Sequence, residues 1–119
     1  MTAFVNYAKR RHNVPSPARP AGLSPNVVQG ELRNRLKFTG VTITDALEAG
    51  ALRAYGSTQN RALFAARAGM DLLLCSAQNV TQGEQASGEL AAAYRKGKLS
   101  SPAFLASVNR VMKLRQSVK

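Results

Sequence analysis

The spacing of apolar residues changes several times along the chain, and each spacing predicts a type of element. Runs of adjacent β-branched or apolar residues at 41–44 and 72–75 predict buried strands of a parallel sheet, and a further strand is predicted at 2–7. Between and after these runs, apolar residues recur every three or four positions or alanine predominates, which predicts helices.

Capping residues indicate where these helices begin and end. Ser24 before Pro25 and Ser101 before Pro102 each combine a favoured N-cap with proline at the first helical position. Another helix is predicted over 58–68, with Ser57 as its N-cap and a left-handed glycine, Gly69, after its last residue. Further helices are predicted over 46–55 and 84–96.

Two of the predicted helices have a clear apolar stripe. In the helix that opens at Ser24, the inward positions are Val28, Leu32 and Leu36. Its outward positions are the polar residues Glu31, Arg33, Asn34 and Lys37. The closing helix is predicted to have its apolar stripe at Leu105, Val108, Val111 and Met112.

Strands that alternate with helices predict parallel βαβ units, and therefore an α/β fold. Residues 8–23, which are rich in proline, are predicted to form a long surface loop, and residues 117–119 a tail. About three parallel strands cannot close a barrel, and both edges of such a sheet lack partners. We therefore interpret residues 1–119 as one piece of a larger α/β domain, incomplete on its own.

The strand at 41–44 stops at a carboxylate, Asp45, which helix-forming residues follow. Two interpretations fit this pattern. Parallel α/β folds place reactive groups at the carboxyl ends of their strands, whereas aspartate is also a favoured helix N-cap. The spacing alone favours the cap.

Composition excludes several classes of protein. The apolar fraction of 45% fits a globular core, and no apolar run is long enough to span a bilayer. The one cysteine, Cys75, rules out an internal disulfide and a thiolate metal cluster, and we expect it to be a buried apolar residue rather than a nucleophile. No export signal is recognisable, so a chain translated as written is expected in the cytoplasm.

A formal net charge of +11 keeps open a different class, a small basic protein that binds nucleic acid or another anionic polymer. The basic residues form only two tight groups, at 9–11 and 95–98, and neither alternates with aromatic residues that would stack on bases. No helix-turn-helix, zinc-finger or RNA-recognition signature is present. We therefore expect a solvated basic face and no specific nucleic-acid partner.

Several short motifs occur in a fixed order along the chain. They are Pro20-Ala21-Gly22-Leu23-Ser24-Pro25, Leu32-Arg33, Thr44-Asp45-Ala46-Leu47, Ala68-Gly69-x-Asp71-Leu72-Leu73-Leu74 and Ser107-x-x-Arg110. As a set they resemble the last quarter to third of the catalytic (β/α)8 barrel of glycoside hydrolase family 3, particularly its β-N-acetylhexosaminidase branch. The fold implied by the resemblance is a partial TIM barrel, of which this chain forms the C-terminal portion.

The resemblance implies that Asp45 is the catalytic nucleophile of a retaining glycosidase. Such an enzyme forms a covalent glycosyl intermediate on its carboxylate, and a second group acts as acid and then as base. The implied substrate is a carbohydrate with β-linked N-acetylglucosamine or glucose, and neither a metal nor an organic cofactor is implied. The predicted position of Asp45 at the end of a strand agrees with this role.

Some features of the family have no counterpart in this sequence. The family's proton-donating loop and main sugar contacts lie upstream of anything in the chain, and His12 does not sit in a matching motif, so we assign no acid/base and no substrate-binding residue. We therefore expect a truncated glycosidase, weakly active or inactive, whose partner is the missing N-terminal half of the barrel. A third interpretation is a truncated reading frame whose product folds poorly.

Overall fold

A computed structural model describes residues 19–118 of the chain. The strand predicted at 2–7, most of the loop predicted at 8–23, His12 and the basic group at 9–11 lie outside the described residues. The described elements are α1 (Asn26–Arg35), β1 (Ile43–Ala46), α2 (Thr58–Ala68), β2 (Leu72–Leu74), α3 (Val80–Arg95) and α4 (Ser101–Ser117). Short 3-10 helices form at Ala21–Leu23 and Gly50–Tyr55.

The α/β prediction is confirmed, because β1 and β2 are parallel neighbours joined through α2 in a βαβ unit. Ile43 pairs with Leu72 and Ala46 with Leu74, with an irregularity between the two pairs. At that point the Thr44 hydroxyl accepts a hydrogen bond from the Leu74 amide, at 2.9 Å. Both described strands therefore end at the same edge of the sheet.

The capping residues predict α2 correctly. The Ser57 hydroxyl accepts a hydrogen bond from the Asn60 amide at 3.2 Å, and Gly69 takes a left-handed φ of 103° after the last turn. α3 begins four residues before its predicted start because the Asn79 side chain caps it, accepting from the Gln82 amide. The helix predicted over 46–55 is wrong for its first half, where the chain turns before the 3-10 helix Gly50–Tyr55.

α1 differs from prediction because its hydrogen bonds are of the i→i+5 type, as between the Leu36 amide and the Glu31 carbonyl. This wider repeat shifts which residues face inward. Val28 is buried as predicted, but Leu36 is 58% exposed. Glu31, predicted to face outward, is buried and accepts a hydrogen bond from Arg35. Arg33 is also turned inward, with 10% of its side chain exposed.

The core lies on one side of the sheet, between the strands and helices α2 and α3. Leu73 of β2 packs against both of its clusters, whose buried members are Leu23, Leu52 and Ala65 in one and Leu47, Ala62 and Ala86 in the other. The opposite face of the sheet is uncovered in the described part of the chain, where Ile43 is 58% and Leu74 40% exposed. Within residues 19–118, the predictions of a buried strand at 41–44 and of a strand covered on both faces at 72–75 are therefore wrong.

α4 packs loosely, through Phe104 on Tyr94 of α3 and through Ser107 and Arg110 on Asp71. None of its residues is buried, and Leu105 and Met112 of its predicted apolar stripe are exposed. A groove of about 440 Å³ separates it from β2, with Leu72, Leu90 and Phe104 among its lining residues. Between residues 19 and 118, no helix has both the length and the apolar character needed to cross a membrane.

Candidate functional site

Polar side chains collect at both edges of the sheet, and the two groups are built differently. At the edge where the strands begin, a buried carboxylate, Asp71, is surrounded by cations and hydroxyls. At the edge where the strands end, the exposed Asp45 lies close in sequence to a second carboxylate, Glu48. The first group holds elements together, and the second has the position expected of a reactive site.

The Asp71 carboxylate is fully buried and satisfied from three directions. Arg33 of α1 donates to it at 2.8 Å and Arg110 of α4 at 2.7 Å. Ser107 of α4 donates through its hydroxyl, and the Thr42 amide, just before β1, donates at 3.0 Å. One carboxylate thereby joins α1, α4 and the start of both strands.

Burial raises the pKa of Asp71, but hydrogen bonds from Arg110, Ser107 and the Thr42 amide, together with the charge of Arg110, outweigh it and hold the pKa below its ordinary value. Because each oxygen accepts several hydrogen bonds at the edge opposite Asp45, we interpret this group as structural. The sequence motifs contained its members without indicating that they meet, since Asp71 lies 36 to 39 residues from its partners Arg33, Ser107 and Arg110.

Asp45, the predicted nucleophile, lies within β1, next to its last residue. Its side chain is exposed on the same uncovered face as Ile43, because alternate residues of a strand point to the same side. One carboxylate oxygen accepts a hydrogen bond from the Ala46 amide at 2.8 Å, and among the described residues no other hydrogen bond or ion pair engages it.

The alternative interpretation of Asp45, as a helix N-cap, is wrong. No helix begins at this residue, since the next one is the 3-10 helix Gly50–Tyr55, with Ala49 at its N-cap position. Arg61 of α2 holds both ends of the segment that contains this 3-10 helix. It donates to the Leu47 carbonyl before the 3-10 helix and to the Gly56 carbonyl after it, each at 2.8 Å. The carboxylate of Asp45 is therefore available for contacts beyond the described residues.

Glu48 is the second carboxylate at this edge, and it contacts the segment that follows β2. Its oxygens accept hydrogen bonds from the Ser76 amide at 2.7 Å, from the Ser76 hydroxyl at 2.9 Å and from the Gln82 side chain at 3.4 Å. Desolvation raises the pKa of Glu48, but hydrogen bonds from its own amide, Ser76 and Gln82 outweigh it and lower the pKa. The sequence analysis assigned no role to Glu48, Ser76 or Gln82. Glu48 lies 28 and 34 residues from its two partners, and no motif in the sequence indicates that these residues meet.

Cys75 directly follows β2 and precedes Ser76, and it is partly buried. Burial, and then the charge of Glu48, raise the pKa of its thiol. A thiol with a raised pKa is a poor nucleophile at neutral pH, in agreement with the apolar role predicted for it. Within residues 19–118, no three acidic, histidine or cysteine side chains come together as a metal site would require.

Comparison with known proteins supplies the remaining observations. The family model "Glycosyl hydrolase family 3 N terminal domain" matches residues 1–114. An uncharacterized secreted glycosyl hydrolase of Arthroderma benhamiae is 48% identical over 80% of this chain and 27% of its own length. Beta-hexosaminidase A of Pseudoalteromonas piscicida is 29% identical over 82% of the chain and 17% of its own length.

Solved structures give the same result for the fold. The glycoside hydrolase family 3 β-N-acetylglucosaminidase of Paenibacillus sp. str. FPU-7 superposes with a TM-score of 0.76 at 37% identity, over 82% of this chain and 18% of that one. The prediction of a partial barrel of this kind is confirmed. The chain spans between a sixth and about a quarter of the length of the curated relatives named above.

Proposed function

Because the chain belongs to the glycosyl hydrolase family 3 N-terminal domain family, we propose that it is the part of a retaining glycosidase that carries the catalytic nucleophile, Asp45. The observation that carries the proposal is the position of this carboxylate. It is exposed, at the carboxyl edge of a parallel sheet, on the face that none of the described helices covers. In a closed (β/α)8 barrel that face lines the interior, and the carboxyl edge opens to the substrate.

The proposed reaction is a double displacement. A carboxylate oxygen of Asp45 attacks the anomeric carbon, and the bond to the leaving group breaks as that group takes a proton from a general acid. Water then attacks the glycosyl ester, passes its proton to the conjugate base and restores the carboxylate. The other carboxylate at this edge in the described part of the chain is Glu48. It does not fit the role of the acid, because its pKa is lowered and it accepts hydrogen bonds from Ser76 rather than donating a proton.

The proposed substrate is a β-linked N-acetylhexosaminide, for which the names of the relatives are the support. The proposed partner is the remainder of the barrel, which would supply the acid/base and most sugar contacts. Two features of the chain support this partner. Ile43 and Leu74 expose apolar surface on the uncovered face of the sheet, and β1 and β2 pair only with each other among the described strands.

The test uses the chain alone and the chain co-expressed with the barrel segment that precedes the matched region in the Arthroderma benhamiae relative. Turnover of 4-nitrophenyl N-acetyl-β-D-glucosaminide and of 4-nitrophenyl β-D-glucoside is measured for both preparations. We expect little turnover by the chain alone and preference for the N-acetylated substrate in the complemented enzyme. Strong turnover by the chain alone would contradict the need for the partner.

The role of Asp45 is tested in the complemented enzyme with Asp45→Asn. We expect kcat to fall by about a thousandfold or more, because the amide is a poor nucleophile. The matched control is Glu84→Gln, which makes the same chemical change on an exposed residue of α3. Turnover retained in Asp45→Asn at the level of Glu84→Gln would refute the assignment.

A further inference from the structure

The carboxylate of Glu48 connects the segment after β1 with the segment after β2. The Ser76 amide and hydroxyl donate to it, and the Gln82 side-chain amide donates to the same oxygen as the Ser76 amide. The side-chain oxygen of Gln82, Oε1, in turn accepts a hydrogen bond from the Ala77 amide at 2.9 Å. The two amides that follow Cys75 are thereby held by side chains rather than by the sheet.

The segment held in this way is strained. Gln78 has a φ of 60°, a left-handed conformation that non-glycine residues adopt only at a cost. Such a conformation persists where neighbouring contacts over-determine it. Here those contacts are the bonds of Ser76 and Ala77 on one side and the Asn79 cap of α3 on the other.

Residues 75–78 follow β2 at the same edge of the sheet as Asp45. Leu74 pairs with Ala46, the neighbour of Asp45, and the Leu47 amide bonds the Leu74 carbonyl at 2.9 Å. Residues 75–78 therefore leave the sheet beside the point where Asp45 stands. In (β/α)8 barrels, segments that follow the strands at this edge form the walls of the substrate site.

We propose that Glu48 is a positioning residue, which fixes residues 75–78 beside Asp45 so that this segment forms one wall of the sugar site. This inference rests on the proposed function. The competing role for Glu48 is that of the general acid, as the second carboxylate of the edge. A general acid needs a proton to give near neutral pH, whereas Glu48 has its pKa lowered by donors that occupy both of its oxygens.

The first arm of the test is amide hydrogen exchange in the chain itself, comparing Glu48→Gln with the matched control Glu84→Gln. Loss of the charge weakens the hydrogen bonds that Glu48 accepts, so we expect the Ser76 amide to exchange about tenfold faster. Exchange in α2 should not change, since Glu48 is exposed and contributes no core contact. Unchanged exchange at Ser76, or equal acceleration in α2, would overturn the positioning role.

The second arm is the pH profile of kcat/KM in the complemented enzyme. For a positioning residue, Glu48→Gln lowers kcat/KM by about tenfold or more while the profile keeps both limbs. Loss of the basic limb would identify Glu48 as the general acid, and an unchanged kcat/KM would show that the segment forms no wall of the site. If Asp45→Asn left turnover unchanged, the proposed function would be refuted. The hydrogen-exchange comparison would still test whether Glu48 fixes residues 75–78, because it does not depend on turnover.

Discussion

Replacing Asp71 with asparagine should destabilise the chain strongly, because it removes a fully buried carboxylate from two arginines. The substitution leaves Arg33 with 10% and Arg110 with 24% of the side chain exposed and without their shared counter-ion. Removing one partner of a buried ion pair costs about 3–5 kcal/mol, because the remaining charge stays desolvated. That loss is a large part of the roughly 5–15 kcal/mol by which domains are stable.

Urea unfolding followed by circular dichroism measures this loss, with Glu84→Gln as the control of equal charge change. Arg110→Gln should cost less than Asp71→Asn, because Asp71 then keeps Arg33 and the replaced cation is partly in water. Ordinary surface substitutions change the free energy of unfolding by about 0.5 kcal/mol or less. If the free energies of unfolding of Asp71→Asn and the control differed by no more than that, the structural interpretation of this carboxylate would be refuted.

The same carboxylate makes stability depend on pH. Its pKa in the folded chain lies below its ordinary value, so it binds fewer protons when folded than when unfolded. Its contribution is therefore complete above the ordinary aspartate pKa of about 3.9 and is lost as the pH falls through the lowered value. In Asp71→Asn this part of the acid transition should disappear.

Two further predictions concern single residues. Gly69→Ala should cost about 1–3 kcal/mol in urea unfolding, because φ is 103° and the new Cβ would lie 1.9 Å from the Gln29 side-chain amide; Gly88→Ala, in open space on α3, should instead be neutral or stabilising. Glu48→Gln should lower the pKa of the Cys75 thiol, because a negative charge that raises it is removed. The pH dependence of the reaction of this single thiol with a disulfide reagent measures that pKa, and an unchanged pKa would contradict the contact.

The two carboxylates with lowered pKa show how the edges of the sheet differ. Asp71 is buried among cations and joins elements that are distant in the chain. Glu48 is exposed and holds one short segment through neutral donors. Loss of the first should therefore reduce stability, whereas loss of the second should leave stability nearly unchanged and alter the proposed sugar site.

Local patterns in the sequence determined what depends on neighbours along the chain. The alternation of strands and helices predicted the α/β class, and Ser57 and Gly69 predicted both ends of α2, because capping is satisfied within one turn. The motif around Asp45 predicted that this residue lies at the carboxyl end of a strand, and Asp45 is the last residue but one of β1. Each of these features needs only a few consecutive residues.

Only the tertiary structure decided which side chains meet. Apolar runs at 41–44 and 72–75 predicted buried strands, but exposure depends on what covers the strands, and helices cover one face of the described sheet. The sequence showed Arg33, Asp71 and Arg110 as parts of separate motifs, and Glu48 as one helix former among others. Their partners lie 28 to 39 residues away, so their roles follow from how the sheet brings distant segments to its two edges.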